Sequence, residues 1–469
     1  MRLGYSCVRW VIVGLSLLII TPPSHSFGQD KRLDGYRGLW FTLGQFSKHG
    51  DKYSGGLGTY TSSHNPLAVY SPKVDRTFFT YGGTPQADQR HLLIMVSYFD
   101  HKTGQVPRPV VVHDKQGVDD PHDNASLQLD ERGYVWVFIS GRGRKRPGFL
   151  YRSEEPWSID RFQLVRETEM TYPQPWYSKR NGWVHLFTKY TKGRELYWES
   201  SRDGLHWSES KKLAGMGGHY QVSEYFLGPT GDERIGTFFN YHPGGNVDER
   251  TNLYYMETRD GGETWVTVDG RSLDLPLTEV VNPALVIDYA KEGLNQYACD
   301  LHFDFAGNPV LLYVTSKGHE PGPENSPREF RLTRWTGSEW KTQMIATTDH
   351  NYDMGSIYVE GNHWRILIPS RPGPQAWGGG GEIVWMESRD GGVTWSDARE
   401  VTRGSKLNHN YVRRPRFAKD PFYAFWADGN PDSFSPSRLY FTDSHGDKVW
   451  RLPEKIDGDF GTPELVPRK

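Results

Sequence analysis

The stretch Ser388–Trp395, SRDGGVTW, decides how this chain is organised, because it occurs three times in nearly the same form. The other copies are SRDGLHW at 201–207 and TRDGGETW at 258–265. Each copy follows a short apolar and aromatic run, and its Asp-Gly pair is typical of a tight turn between two strands. The Asp positions of the three copies are 57 and 130 residues apart, so we expect one unit between the last two to lack the motif.

Weaker copies of the run before this turn fill the remaining gaps. The runs begin about every 58 residues, which is typical of a propeller blade, at Leu93, Phe149, Leu196, Leu253, Phe330, Ile383 and Leu439. No window shows the 3.6-residue period of helical repeats. The sequence therefore predicts an all-β, seven-bladed β-propeller. The SRDGGVTW-type turn, known as the Asp box, is expected between strands of its blades. We expect one domain over residues 29–469, with 35–44 adding a strand to the last blade beside 448–453.

The composition and the N-terminus narrow the functional class. Residues 1–28 resemble a signal peptide, with a basic start, an apolar run too short to span a membrane and small residues at its end. The net charge of −2 favours neither nucleic acid nor a membrane surface as a partner. One of the two cysteines, Cys7, leaves with the signal peptide, so no internal disulfide is expected. We expect a secreted or periplasmic protein without a membrane span, and a monomer.

A second pattern recurs at the predicted start of each innermost strand, where a His, Asn, Tyr or Gln precedes the apolar residues. The segments begin at His64, His122, Thr171, His219, His350 and His409, and the fifth blade offers His302. Innermost strands of a propeller meet around the central channel. We therefore expect these polar side chains to form a ring at one mouth of the channel. A single such His is often structural, but the repetition indicates a functional site.

Several of these segments resemble the BNR-repeat propellers of carbohydrate-active enzymes. The segments DDPHDNAS, TYPQPWY and HNYVRRP are similar to those of propeller ulvan lyases, rhamnose–glucuronate lyases and the related propeller α-L-rhamnosidases. This resemblance implies catalytic roles for His122 and Tyr172 and a basic residue at Lys189. A second lyase His would fall near Arg142. The rhamnosidase His, on the opposite face of the propeller, would fall at Gln45, which argues against that hydrolase.

The chemistry implied by the resemblance is β-elimination from a rhamnose- and uronate-containing polysaccharide. A base must remove the proton beside the uronate carboxylate, an acid must protonate the leaving oxygen, and cations must neutralise the carboxylate. The candidate catalytic residues are His122, Tyr172 and His219. The candidate substrate-binding residues are His64, Arg142, Lys189, Tyr220, His350, Tyr352, His409, Tyr411, Arg413 and Arg414.

Two other functions remain open from the sequence. One is an α-L-rhamnosidase-type glycoside hydrolase, although paired acidic residues do not recur at the strand starts. The other is a non-catalytic glycan-binding propeller. The sequence indicates no definite cofactor, and it leaves room for a structural Ca²⁺ or other divalent ion near the central channel.

Overall fold

The computed structural model describes residues 32–57 and 63–467, together with Met1 and Gly4. The predicted signal peptide lies outside these residues apart from those two positions. In this part of the chain, no helix has the length and apolar character needed to cross a membrane. Its helices are short 3-10 turns: Pro121–Asp123, Gly143–Lys145, Pro243–Gly245, Val247–Glu249 and Pro323–Asn325.

The strands form consecutive antiparallel units of four, which we number 1 to 7 in chain order. Unit 1 contains Ala68–Ser71, Arg76–Gly83, Leu93–Asp100 and Val110–Asp114, and unit 2 contains Ala125–Leu129, Val135–Ile139, Gly148–Ser153 and Phe162–Thr168. Unit 3 contains Thr171–Ser178, Gly182–Tyr190, Arg194–Ser201 and Lys211–Ala214, and unit 4 contains Gln221–Leu227, Glu233–Tyr241, Thr251–Thr258 and Leu285–Ile287.

The second half of the chain repeats the same antiparallel order. Unit 5 contains Asn295–Phe303, Pro309–Ser316, Arg328–Trp335 and Trp340–Thr348. Unit 6 contains Ser356–Glu360, His363–Pro372, Gly381–Ser388 and Arg399–Glu400, and unit 7 contains Asn408–Arg413, Ala424–Gly429, Leu439–Thr442 and Val449–Arg451. Short strands outside this pattern are Gly38–Thr42, Phe46–Ser47, Gly50–Asp51, Ser54–Gly55, Val106–Pro107, Ser435–Ser437, Phe460–Gly461 and Glu464–Leu465.

This arrangement confirms the all-β fold class, and the seven units are consistent with seven blades. Each of the seven predicted starts lies in the third strand of its unit, and the three SRDGGVTW-like motifs form the turn after that strand. In the last motif, Asp390 accepts hydrogen bonds from Val393 N at 3.0 Å and Thr394 N at 2.9 Å. Gly391 and Gly392 have φ angles of 71° and 78°, a conformation that favours glycine.

The first strand of each unit contacts the first strands of its neighbours, so it is the inner strand. Ser126 in unit 2 donates to the Pro173 carbonyl in unit 3 at 2.6 Å, for example. Units 7 and 1 are joined in the same way, because Arg416 N donates to Ala68 O at 2.8 Å. The polar groups at the starts of the inner strands are therefore brought to one end of the bundle of inner strands.

The N-terminal strand forms as expected but has a different ladder partner. Gly38–Thr42 pairs with Ser435–Ser437, which lies between the second and third strands of unit 7. The 448–453 stretch is contacted two residues before that strand, where Tyr36 N donates to Pro453 O at 2.9 Å. The outer strand of unit 7 is paired instead with Glu464–Leu465 from the C-terminal end.

Aromatic side chains fill the spaces between neighbouring units. Between units 1 and 7, Phe422 stacks on Phe79 and Phe441 with ring centroids 5.3 and 4.6 Å apart. Each fully buried aromatic ring of this kind stabilises the fold by about 1.5–3 kcal/mol. Within the described residues, Cys299 is a buried free thiol, so packing and ring closure take the place of disulfides there.

Candidate active site

The geometry around His122 is set by the 3-10 turn Pro121–Asp123. Asp120 caps this turn by accepting a hydrogen bond from His122 N at 3.0 Å, and it also accepts one from the Nδ1–H of the His122 ring. With the Nδ1 proton directed at the carboxylate, the lone pair of the imidazole lies on Nε2. The buried His122 ring therefore has one defined tautomer and one basic nitrogen.

Tyr172 is aimed at this His by a local distortion of the inner strand of unit 3. The register of Thr171–Ser178 shifts between Thr171 and Gln174, and Tyr172 has a φ of 57°. A tyrosine in this left-handed region costs about 1–3 kcal/mol, and such strain is concentrated at functional sites. The ring centroids of Tyr172 and His122 are 5.6 Å apart. The predicted approach of these two side chains is confirmed, while their chemical roles stay predictions.

Cations surround the carboxylate that holds His122. Arg142 Nη1 and Arg146 Nη2 lie 2.7 and 2.6 Å from Asp120 Oδ2. Burial alone would raise the pKa of Asp120, but the hydrogen bond from His122 and the charges of both arginines hold it well below its usual value. Burial lowers the pKa of His122, and Asp120 opposes that effect only in part. At neutral pH the site therefore holds an ionised Asp120 and a neutral imidazole.

Asp123 extends this network on the side away from the Tyr172 ring. Its carboxylate is ion-paired with Lys115 at 2.8 Å and with Arg146 at 2.9 Å, and the Lys115 ammonium also donates to Ser140 O at 3.1 Å. Ser140 Oγ in turn accepts from Tyr172 N at 3.1 Å. Asp123, between His122 and Asn124, is thus linked through Lys115 and Ser140 to the backbone of Tyr172.

An aromatic and cationic cluster, which sequence reasoning largely missed, continues the site. Tyr220, a predicted binding residue, has its ring centroid 5.5 Å from that of Tyr172 and 5.0 Å from that of His242. The guanidinium carbon of Arg250 lies 4.7 Å from the Tyr220 centroid, and that of Arg194 lies 5.5 Å from the Tyr190 centroid. Burial is the main cause that lowers the pKa of His242 well below its usual value.

A sequence signal for these arginines exists in hindsight. Arg194, Arg250 and Arg328 each stand at or just before the start of the third strand in units 3, 4 and 5. Antiparallel strands place that start at the same end as the start of the inner strand. An Arg two or three residues before the apolar run of consecutive repeats could therefore have indicated a second row of site residues.

Two predicted His residues have ring nitrogens that are already engaged. His219 donates from Nδ1 to Asn240 O at 2.8 Å and accepts at Nε2 from Met216 N at 3.2 Å. His409 accepts at Nδ1 from Trp426 Nε1 at 2.9 Å and donates to Ser405 Oγ at 3.0 Å. Both rings therefore bond to groups within their own units, while the catalytic role of His219 and the binding role of His409 stay predictions.

Two predicted cations also lie away from the site. Lys189 is on the strand that follows Tyr172, but its ammonium donates to Ser210 Oγ in the loop before the fourth strand of unit 3, at 2.7 Å. Alternation along the strand instead places the next residue, Tyr190, beside Arg194. Arg414 lies after the end of its inner strand and pairs with Glu224 at 2.6 Å and Asp300 at 3.2 Å. The structure thus does not bring Lys189 or Arg414 to the His122–Tyr172 pair through any of these contacts, and their binding roles stay predictions.

His64 and Arg413 line the channel below Tyr172. The His64 ring centroid lies 5.5 Å from that of Tyr172, and burial, followed by the charge of Arg413, lowers the pKa of His64 to about 3. Burial also lowers the pKa of Arg413 to about 10. Tyr411, with a φ of 61°, points under the N-terminal segment, where its hydroxyl donates to Ser54 O. Of these residues, His64 contacts Tyr172 directly.

His350 and Tyr352 mark the start of unit 6. Tyr352 N donates to His350 Nδ1 at 3.1 Å, and burial lowers the pKa of His350 to about 3. The Tyr352 ring packs against Tyr297 and Tyr53 at centroid distances of 5.1 and 5.4 Å. Tyr352 is therefore placed at the same mouth as Tyr220, as expected.

Two further expectations need correction. In unit 5 the inner strand is Asn295–Phe303, so His302 lies at its far end and Tyr297 occupies the predicted ring position. Gln45 is in a loop of the N-terminal segment, where its backbone N–H donates to Asp51 Oδ1 at 3.1 Å. That loop places Tyr53 against Tyr352, so the segment containing Gln45 lies on the same face as His122 and Tyr172, and not on the opposite one.

The suggested divalent ion finds no ready donor set. In residues 32–57 and 63–467, no three or more His, Cys, Asp or Glu side chains are grouped to hold a metal. The carboxylates nearest His122 are already neutralised by Arg142, Arg146 and Lys115. A structural ion at the channel therefore stays a prediction from sequence.

Known proteins with similar sequences and folds include several lyases. Ulvan lyases from Pseudoalteromonas sp. (strain PLSV) and Nonlabens ulvanivorans are 22% and 24% identical to this chain over 390 and 263 residues. Those matches cover 72% and 47% of this chain, and 76% and 53% of the relatives.

A solved structure of a PL25 ulvan lyase superimposes with a TM-score of 0.68 at 16% identity, covering 88% of this chain and 96% of that one. The same lyase has been solved bound to -[GlcA(1-4)Rha3S]-. At this identity the superposition supports the fold. A model of the BNR repeat-containing family matches residues 89–348, more than half of the chain. This protein therefore belongs to the BNR repeat-containing family.

Proposed function

We propose that this protein is a polysaccharide lyase that cleaves a rhamnose- and uronate-containing polysaccharide by β-elimination. The observation that carries the proposal is the pair formed by His122 and Tyr172, with ring centroids 5.6 Å apart and the His oriented by an ionised Asp120. Such a pair can supply a base and an acid to the two sides of one sugar linkage.

His122 fits the role of base. Its pKa is lowered by burial, so the imidazole is neutral and Nε2 can accept a proton at neutral pH. The C5–H bond of the uronate breaks, the proton moves to Nε2, and the electron pair forms the C4–C5 double bond. Asp120 then stabilises the imidazolium through the Nδ1–H bond that is already present.

Tyr172 fits the role of acid. As the C4–O bond breaks, the phenol can transfer its proton to the leaving oxygen, and the proton on His122 can later return through solvent. The C5 proton becomes acidic enough only when the uronate carboxylate is neutralised. Arg142 lies 2.7 Å from Asp120, and Arg194 lies beside Tyr190; the charges of both arginines act on His122 and lower its pKa.

The related sequences support the substrate class. The two curated relatives are named ulvan lyases, and the similar solved lyase was crystallised with a glucuronate–rhamnose 3-sulfate repeat. The signal-like residues 1–28 support export, which suits an extracellular polysaccharide as substrate. We therefore place the activity outside the cytoplasm, with the polysaccharide as the principal partner.

The experiment is a turnover assay on a panel of glycans that includes ulvan and gum arabic. A lyase produces an unsaturated uronate, which absorbs in the ultraviolet, together with new reducing ends. Reducing ends without that absorbance would show hydrolysis instead and would overturn the elimination mechanism. Matched incubations with the His122→Ala variant show whether product depends on the candidate base.

A second candidate is a non-catalytic glycan-binding propeller. The observation that favours it is Arg142, which stands where the lyase pattern has its second His and which binds Asp120. It predicts saturable glycan binding and no product after long incubation. Any turnover that disappears in both His122→Ala and Tyr172→Phe would rule it out.

A further inference from the structure

Arg250 is a buried cation with an unusual set of neighbours. It precedes the third strand of unit 4, it is 2% exposed, and its Nε donates to Val247 O at 2.9 Å. Among the described residues, no carboxylate lies within ion-pair distance of its guanidinium. A buried charge without a counter-ion is costly, so it needs a partner from outside the chain or a functional reason.

Aromatic rings enclose this guanidinium. Its central carbon lies 4.7 Å from the centroids of Tyr220 and Tyr297 and 5.2 Å from that of Tyr352. Tyr53 closes the group, with its ring 5.4 Å from that of Tyr352. We call Tyr53, Tyr220, Tyr297 and Tyr352 the tyrosine cage. Ring faces attract a cation, but they offset only part of the cost of removing it from water.

Asp248, two residues before Arg250 in the same loop, has other partners. Asp248 accepts a hydrogen bond from the hydroxyl of Tyr53, and its other oxygen lies 4.0 Å from Lys52 Nζ and 3.5 Å from His319 Nε2. The negative charge of Asp248 is therefore directed away from Arg250. This loop therefore supplies the backbone acceptor Val247 O to Arg250 Nε, but no ion-pair partner for the guanidinium.

Arg328, another arginine in this row, has the hydrogen bonds expected of a structural arginine. Arg328 stands at the start of the third strand in unit 5, and its guanidinium donates to Asn351 Oδ1, Gly322 O and Glu320 O at 2.7, 2.7 and 2.6 Å. Among residues 32–57 and 63–467, the Arg250 side chain makes one hydrogen bond, from Nε, so both terminal nitrogens are available for a ligand.

Arg250 also lies within reach of a bound chain at the catalytic pair. Tyr220 contacts both, with its ring 5.5 Å from that of Tyr172 and 4.7 Å from the Arg250 guanidinium. The sum of those two distances is therefore the upper limit on the separation between the Arg250 guanidinium carbon and the Tyr172 ring centroid. This separation suits a group on the sugar beside the one that reacts, rather than the carboxylate of the reacting uronate.

We propose that Arg250 and the tyrosine cage form an anion subsite that binds a carboxylate or sulfate ester on the sugar next to the scissile linkage. The proposal rests on the proposed lyase function for its place along the chain. The planar guanidinium can bind either oxyanion through two parallel hydrogen bonds. The tyrosine rings exclude water around this contact and offer a surface against which the sugar ring packs.

The test is a binding measurement that does not require turnover. Calorimetry on the His122→Ala protein, with and without Arg250→Gln, uses three forms of one uronate–rhamnose oligosaccharide: sulfated, desulfated and carboxyl-reduced. We expect Arg250→Gln to weaken binding of the fully anionic form by about 10- to 100-fold, the scale of one charged bidentate contact. One of the forms should bind equally well to the His122→Ala protein with and without Arg250→Gln. The anionic group that this form lacks is the group that Arg250 binds.

Two further variants serve as controls, one for the charge at position 250 and one for a positive charge elsewhere on the surface. Arg250→Lys keeps the charge but loses the bidentate geometry, so we expect intermediate weakening, and it serves if Arg250→Gln does not fold. Arg202→Gln, in an exposed turn of unit 3, should bind all three forms like the parent protein. Binding within twofold of the parent for Arg250→Gln, equal weakening of every form, or no binding to the parent would each overturn the subsite.

The lyase proposal is judged separately, from the product of the unsubstituted enzyme. Turnover that is independent of Arg250 keeps the lyase and removes the subsite. Anion binding that depends on Arg250, without any unsaturated product, keeps the subsite and removes the lyase.

Discussion

His122 and Tyr172 are 50 residues apart in the chain, yet their ring centroids lie 5.6 Å apart at the channel mouth. The two residues come from the starts of adjacent inner strands, and the positive φ of Tyr172 turns its ring toward the His. A repeat fold thus converts one repeat length in sequence into direct contact in space.

If these residues act as base and acid, Tyr172→Phe and His122→Ala should each lower kcat/KM by roughly 10²-fold or more, the usual scale for a lost proton transfer. Steady-state rates on the active glycan test this. Tyr134→Phe, in the hairpin of unit 2, is the matched control and should stay within twofold. Near-wild-type rates in both folded variants would show that this face is not the catalytic one.

Asp120→Asn should lower the rate and shift its pH profile. Burial lowers the pKa of His122, Asp120 raises it, and Arg142 and Arg194 lower it. Without the Asp120 carboxylate, the pKa of His122 should fall further. The acid limb of the pH profile of kcat/KM should therefore move to lower pH. The rate should fall by about 10²- to 10⁴-fold because the tautomer is no longer held. A limb that moves to higher pH would contradict the assignment of His122 as base.

Arg142→Ala and Lys189→Ala should behave differently, although both were predicted binding residues. Arg142 lies beside Asp120 and His122, whereas the Lys189 ammonium is bonded to Ser210. We expect a loss of about 10-fold or more in kcat/KM for Arg142→Ala, since a cation beside the reacting carboxylate is removed. Lys189→Ala should change it less than twofold. Equal losses in the two variants would indicate that Lys189 reaches the substrate.

Arg414→Met should destabilise the fold rather than affect substrate binding. The substitution leaves Glu224 and Asp300 buried without their shared cation, which typically costs about 3–5 kcal/mol. Urea unfolding should show this loss, while KM of the folded fraction stays unchanged. Arg202→Met, at an exposed turn, is the control and should change stability by less than about 0.5 kcal/mol. A raised KM with unchanged stability would reverse the conclusion.

Buried neutral imidazoles should make the fold sensitive to acid. Burial lowers the pKa of His219 to about 4 and those of His64 and His350 to about 3, below the usual 6.5. Between those values the unfolded chain binds more protons than the folded one, so stability falls as pH drops below about 6.5. Each such His contributes up to about 1.4 kcal/mol per pH unit.

The measurement is chemical unfolding at a series of pH values from 7 to 4.5. His219→Gln, with one titrating ring removed, should show a shallower slope than the parent protein. A free energy of unfolding that stays flat across this range would contradict the burial of neutral imidazoles.

Repetition made the fold readable from sequence. The SRDGGVTW motif and the runs before it recur because each four-stranded unit needs the same turn and the same apolar third strand. Local turn chemistry and strand periodicity depend on residues close together in the chain, so they are visible without a structure. The same argument brought His122 and Tyr172 to one mouth, since equal positions in neighbouring units share one end of the propeller.

Side-chain direction and pairing were decided only by the tertiary structure. His219 and His409 were predicted at the same repeat position as His122. The His219 ring, however, bonds to Asn240 O, and the His409 ring bonds to Ser405 and Trp426. These partners are set by the packing between strands. The sequence by itself determined the repeat, the order of the four-stranded units and the approach of His122 to Tyr172. Only the folded chain decided that Arg328 is satisfied by Asn351, Gly322 and Glu320 while Arg250 has no counter-ion among the described residues, because side-chain contacts depend on how the loops pack.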